Sequence, residues 1–123
     1  MNKKIKILIA EDEKAIARAL DLKLQHEGFE TKVASDGKEA LNLLQAENFD
    51  LVILDLIMPQ LDGFGVLAGM KEKNIKTPAI VASNLSQQED IDRAKELGAV
   101  DFFIKSDTPI LQIVEKLKKY FNL

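Results

Sequence analysis

Leu51-Val52-Ile53-Leu54 is an unbroken apolar run that stops at Asp55. A short apolar run bounded by turn signals reads as a strand buried on both faces, the habit of parallel strands covered by helices. Met58-Pro59 and Asp62-Gly63 prevent its continuation, because proline removes a donor and glycine permits a tight turn. The pattern therefore puts Asp55 at the carboxyl edge of a sheet, where open α/β folds hold their ligands.

The rest of the chain alternates in the same sense. Apolar or alternating runs at residues 5–10, 30–34, 51–54, 79–82 and 100–104 read as strands. Between them lie helical patterns. Ile16, Ala19, Leu20 and Leu24 mark the first helix, which Gly28 ends. Asp36 with Glu39 forms a capping-box signature for the second, lined by Ala40, Leu41 and Leu44. Phe64, Leu67 and Met70 carry the third, which Gly65 and Gly69 weaken. Ser86 with Glu89 reads as a capping box for the fourth, ending near Leu97-Gly98. Thr108-Pro109 reads as an N-cap and first-turn proline for the last, with Ile110, Ile113, Val114, Leu117 and Phe121 on one stripe. Such alternation predicts right-handed βαβ crossovers and a doubly wound α/β sandwich with five parallel strands. No repeat, linker or low-complexity tract is visible, so residues 1–123 are expected to form a single domain.

Composition narrows the chemistry. A net charge of -3 argues against a nucleic-acid-binding module, which would show a basic patch. The absence of cysteine excludes disulfides, thiolate metal sites and thiol nucleophiles. His26, the single histidine, cannot build a histidine metal site and reads as a surface residue near a helix end. No apolar run is long enough to span a bilayer, and Met1-Asn2-Lys3-Lys4 does not open a secretory signal. A cytoplasmic protein is expected.

The polar residues fall at strand ends: Glu11-Asp12-Glu13 after the first strand, Asp55 after the third, Ser83-Asn84 after the fourth, Lys105-Ser106 after the fifth. In a parallel sheet these ends share one edge, so Glu11, Asp12 and Asp55 converge if the first and third strands are neighbours. Two unit charges ~4 Å apart at an effective dielectric of ~20 repel by on the order of 4 kcal/mol. A divalent cation relieves this, and an all-oxygen donor set suits Mg²⁺; Lys105 relieves part of it. A carboxylate, a hard cation, a lysine and a small hydroxyl form a constellation for handling a phosphoryl group. Asp55 is the candidate nucleophile, Lys105 holds one phosphoryl oxygen as a point charge, and Ser83 donates a hydrogen bond to another.

Glu11-Asp12, Asp55 with Met58-Pro59 and Asp62-Gly63, Ser83, and Lys105 together resemble the signature of bacterial response-regulator receiver domains, the CheY-like family, over essentially the whole chain. The resemblance implies a flavodoxin-like sheet of order 2-1-3-4-5. It implies Asp55 as the phosphorylated residue, with Glu11, Asp12, Asp55 and the backbone carbonyl of Ile57 holding Mg²⁺. Ser83 and Phe102 match the two positions that switch together, altering the face formed by the fourth helix, fifth strand and fifth helix. A sensor histidine kinase or phosphotransfer protein would supply the phosphoryl group, and an unidentified protein would read the altered face. Such a domain is not an enzyme on other molecules; it catalyses its own phosphorylation and dephosphorylation. Direct nucleic-acid or membrane binding is not expected of it. A monomer or a weak phosphorylation-dependent dimer is expected.

Two departures from the family pattern carry expectations. Ser106 follows Lys105 where the family usually has proline; a cis bond there would cost about 2.5–4 kcal/mol, so a trans or strained turn is expected. Ile57 and Leu85, two residues past Asp55 and Ser83, are apolar where side chains influence the access of water, which predicts slow self-hydrolysis of the acyl phosphate. Singly, each motif has a plainer reading. The acids could serve a helix start, Lys105 could be solvated, and Asn84 reads as ordinary loop chemistry. One of Phe102 and Phe103 should be core, since successive strand residues face opposite ways. Lys116, Lys118 and Lys119 read as a solvated helix face. Two functional alternatives compete: a degenerate receiver acting as a phosphorylation-independent interaction module, and a flavodoxin-like mononucleotide binder. The second wants a loop of free N–H donors after the first strand, where this chain has acids.

Overall fold

The computed structural model of the chain describes residues 4–123, so the reading of the first three residues as no secretory signal lies outside the described residues. Strands β1 (Lys6–Ala10), β2 (Glu30–Ala34), β3 (Leu51–Leu54), β4 (Ala79–Ser83) and β5 (Asp101–Ile104) alternate with helices α1 (Lys14–His26), α2 (Gly37–Ala46), α3 (Gly63–Glu72), α4 (Gln88–Glu96) and α5 (Ile110–Tyr120). All neighbouring strands pair in parallel, in the order β2-β1-β3-β4-β5. This is the expected doubly wound, flavodoxin-like arrangement. Among the described residues no helix is long and apolar enough to cross a membrane.

The sheet separates two apolar layers, and the alternation of strand side chains assigns residues to each. Ile7, Ile9, Leu51, Ile53 and Ile80 face α1 and α5, where they pack with Leu20, Leu24, Ile113, Val114 and Leu117. Leu8, Ala10, Val52, Leu54 and Val81 face the other way, against Leu44, Phe64, Leu67, Met70 and Ala94 of α2, α3 and α4. β3 is buried at every position, as an inner strand covered on both sides must be. β2 is an edge strand, and there the expected alternation fails: Val33 is exposed, with the charged neighbours Glu30 and Lys32. Charge on an edge discourages pairing with another sheet.

Several local expectations are corrected. On α1 the buried stripe is Ala17, Leu20 and Leu24, while Ala19 is exposed, one residue off the helical repeat. In α2, Asp36 Oδ1 accepts the Glu39 N–H at 2.7 Å, but Glu39 Oε1 reaches back to the Ser35 N–H at 2.8 Å, one residue beyond the reciprocal box. Ser86 does not cap α4; Gln87 is the N-cap, without a side-chain cap bond, and Glu89 and Asp90 supply negative charge in the first turn instead. Thr108 does not cap α5, because Pro109 has ψ 151 and stands outside the helix as its N-cap. The third helix, by contrast, forms as expected and runs through Gly65 and Gly69. A Cβ at position 69 would lie 2.6 Å from Leu41 Cδ2, so there the absent side chain allows α3 to approach α2 closely.

The segment after β3 is held by α3. Asp62 Oδ1 caps the helix by accepting the Gly65 N–H at 2.8 Å, and the Gly63 N–H donates to the Leu56 carbonyl at 2.9 Å. A Cβ at Gly63 would meet the Asp55 carbonyl oxygen at 2.3 Å and Leu56 Cα at 2.7 Å. Both obstacles are backbone, so no side chain can turn aside. Gly63→Ala is expected to destabilise the fold by about 2–3 kcal/mol, as overpacking does, measured by urea unfolding with an unchanged denaturant slope.

Candidate functional site

Register brings the acids together. Ala10 pairs with Leu54, and the ladder runs one residue further: the Asp55 N–H donates to the Ala10 carbonyl and the Glu11 N–H to the Ala34 carbonyl, each at 3.0 Å. Glu11 and Asp55 thus leave adjacent strands side by side, each only 4% exposed. One carboxylate oxygen from each of Glu11, Asp12 and Asp55 lies within 4.8 Å of the other two. At that separation each pair of ionised groups repels by about 3–4 kcal/mol at an effective dielectric of ~20.

Lys105 enters from the end of β5. Its Nζ donates to Glu11 Oε1 at 2.7 Å and Asp55 Oδ2 at 2.9 Å, and lies 3.7 Å from Glu13 Oε1. The side chain is 9% exposed, so this bridge is largely shielded from solvent. Asp55 Oδ1 accepts the Ile57 N–H at 3.2 Å, and Glu11 Oε2 accepts the Glu13 N–H at 3.1 Å. Asp12, Glu13, Asp55, Ile57, Asn84 and Lys105 line a cleft of about 100 Å³. Larger grooves lie at the opposite edge of the sheet, around Thr77 and Pro78, but the charged cluster marks this smaller one.

The electrostatics follow from this packing. Burial pushes the Glu11 carboxyl up to about 7, against the opposing pull of the Lys105 ammonium and the Glu13 N–H; the nearby Asp55 charge adds to the rise. For Lys105, burial disfavours the ammonium, but hydrogen bonds and charge from Glu11 and Asp55 outweigh it and raise the group above its ordinary value. The three acids offer hard oxygen donors and, among the described residues, one ammonium sits among them, which is the donor set a small divalent cation takes.

Of the residues singled out in the sequence, Glu11, Asp12, Asp55 and Lys105 meet in one cluster, and Ile57 lines its mouth, 54% exposed. Ser83 is completely buried at the end of β4, and its Oγ accepts the Leu85 N–H at 3.4 Å. Phe102 is half-buried against the layer facing α3 and α4, while Phe103 is the core aromatic on the other face. No cis peptide occurs among the described residues, so Lys105 reaches the acids through a trans bond to Ser106 in a short 3-10 turn, Lys105–Asp107. Two neighbours were not expected. Glu13 flanks the ammonium, which its place beside Glu11-Asp12 could have suggested. The Asn84 side chain accepts the Ser106 N–H at 3.0 Å, a pairing across 22 residues that no local signal carries.

Comparisons with known proteins agree with this geometry. Residues 7–117 match the family described as response regulator receiver domain. The chain is 40% identical over 109 residues to a probable transcriptional regulator, ycf27, of Cyanophora paradoxa, covering 89% of this chain and 45% of that protein. It is 35% identical over 109 residues to the alkaline phosphatase synthesis transcriptional regulatory protein PhoP of Bacillus subtilis (strain 168), with the same coverage of 89% and 45%. The chain spans about half the length of the curated relatives it matches. Among solved structures, the Francisella response regulator 1452 receiver domain superposes with a TM-score of 0.89 at 34% identity, covering 97% of this chain and 98% of that one. A CheX-CheY-BeF3-Mg+2 complex from Borrelia burgdorferi superposes at 0.87 with 26% identity, covering 95% and 89%. The chain belongs to the response regulator receiver domain family. It is a CheY-like receiver domain of the response regulators of two-component systems.

The raised Glu11 value has a measurable sign. A buried acid whose pKa rises on folding binds a proton more tightly in the folded chain, so the metal-free protein should lose stability as pH rises from about 4.5 to about 7. Carboxyl NMR in the presence of a chelator should give a Glu11 midpoint near 7, and Mg²⁺ should move that midpoint down. A midpoint near 4.5 without metal would contradict the burial argument.

Proposed function

We propose that the domain is a phosphoacceptor that receives a phosphoryl group on Asp55 from a histidine kinase or phosphotransfer protein and passes the signal to a downstream protein. The observation that carries this is the Lys105 ammonium 2.9 Å from Asp55 Oδ2, beside the three clustered carboxylates. An Asp55 carboxylate oxygen attacks phosphorus, the bond from phosphorus to the donor's leaving atom breaks, and the bonding pair departs with that atom. The product is an acyl phosphate on Asp55.

Glu11, Asp12 and Asp55, with the backbone carbonyl of Ile57, would hold Mg²⁺. When bound, Mg²⁺ supplies positive charge to the transferring oxygens, beyond what one lysine provides. Lys105 holds a phosphoryl oxygen as a fixed ammonium. Its present bonds to Glu11 and Asp55 keep it at the site before the phosphoryl group arrives. The Ser83 oxygen accepts the Leu85 N–H, which leaves the hydroxyl proton free to donate to a phosphoryl oxygen. Movement of Ser83 toward that oxygen would draw its loop inward and let Phe102 turn from its half-buried position. The face of α4, β5 and α5 then shifts between two packings of one fold.

The domain acts on itself and on no second substrate. It works in the cytoplasm as a monomer or a weak phosphorylation-dependent dimer, and any DNA-binding output lies outside these residues. Incubation with Mg²⁺ and acetyl phosphate should add the mass of one phosphoryl group, and Asp55→Ala should abolish the gain. Mg²⁺ binding without any gain, even with a kinase, would favour an interaction module instead.

Ile57 stands at the mouth of the cleft and Leu85 is half-buried beside Ser83. Apolar groups there disfavour an ordered attacking water, so the acyl phosphate should decay slowly. Ile57→Asn should shorten its half-life severalfold in a phosphate-release assay; an unchanged or longer half-life would count against this role.

A further inference from the structure

The carboxyl ends of β4 and β5 are joined by a bond that phosphoryl transfer does not itself require. Ser83 and Ile104 are the last paired residues of these strands. Just past them, where the backbone ladder ends, Asn84 Oδ1 accepts the Ser106 N–H at 3.0 Å. The turn Lys105–Asp107 is otherwise closed by the Thr108 N–H on the Lys105 carbonyl at 3.3 Å, a long hydrogen bond. Lys105 carries its charge on a flexible four-carbon stem. Yet its Nζ must lie 2.7 Å from one buried acid and 2.9 Å from another. That geometry demands a fixed backbone at the root of the side chain.

We propose that Asn84 is a positioning residue for Lys105. Its side-chain oxygen continues the β4–β5 pairing beyond the ladder and anchors the turn from which the ammonium reaches Glu11 and Asp55. The donor exists because residue 106 is not proline; a residue without a backbone N–H could not make the bond. The loop carrying Ser83 and Asn84 and the turn carrying Lys105 then behave as one unit, so displacement of the first is passed to the second. The use of Lys105 on a phosphoryl oxygen rests on the function proposed above; its anchoring by Asn84 does not.

The test uses the whole chain, unphosphorylated and free of metal. Asn84→Ala and Asn84→Val remove the acceptor, and Asn84→Asp keeps one. Loss of one hydrogen bond should speed Ser106 amide exchange by roughly fivefold in Ala and Val. Acetic anhydride should label Lys105 faster by a similar factor, with Lys6 labelled as before. Asn84→Asp should restore both towards wild type, which a general loosening of the loop would not do. Unchanged Ser106 exchange or unchanged Lys105 labelling in Ala and Val overturns the proposal. If acetyl phosphate fails to modify wild-type Asp55 while Lys105 labelling still follows residue 84, the phosphoacceptor reading falls and the positioning role stands.

Discussion

The mutual repulsion of three carboxylates, gathered by strand register and bridged by one buried ammonium, is the constraint around which the carboxyl edge of the sheet is organised. Parallel pairing of β1 with β3 leaves Glu11 and Asp55 no choice but to emerge side by side. Lys105 arrives from the end of β5, two places from β3 and three from β1, and joins them. Breaking a shielded pair of this kind leaves an uncompensated charge, which is far more costly than losing an exposed one. Burial is the main force that pushes the Glu11 carboxyl up, and the neighbouring Asp55 charge adds to it.

The sheet beneath is built to hold that cluster still. Its inner strands are covered on both faces by separate apolar layers, so the ends of β1 and β3 have little freedom. The helices are not equally bound. α4 contributes Ala94 as its one fully buried residue, with Ile91 and the C-cap Leu97 half-buried and Arg93 stacked over the Phe64 ring at 4.2 Å. A helix so lightly anchored can shift at low cost, because few buried contacts must be broken.

Much of this was legible in the chain. Asp55 stood out because an apolar strand should not end in an acid unless the end matters, and Glu11, Asp12 and Lys105 followed from the same rule at other strand ends. The failures were of a different kind. Ala19 and Val33 were misplaced because apolar character alone does not distinguish a helix's inner stripe from its flank, or an edge strand from an inner one. The caps at Ser86 and Thr108 failed because several residues can begin an exposed helix at little cost, and water can serve the unused donors. The third helix forms as expected despite Gly65 and Gly69, whose low propensity is offset by close packing against Leu61 and Leu41. Asn84 was passed over because its partner, Ser106, is distant in sequence and meets it only when β4 and β5 pair.

The sequence by itself determined the alternation of elements, the burial of the inner strands and the identity of the charged residues at their ends, since these depend on periodicity and turn chemistry within a few residues. Only the tertiary structure decided that Lys105 touches two acids at once, that Glu13 and Asn84 belong to the same cleft, and that the Ser106 N–H finds its acceptor on Asn84. Those outcomes turn on ångström distances between strands joined by long crossovers, and no pattern along one segment encodes the distance to another.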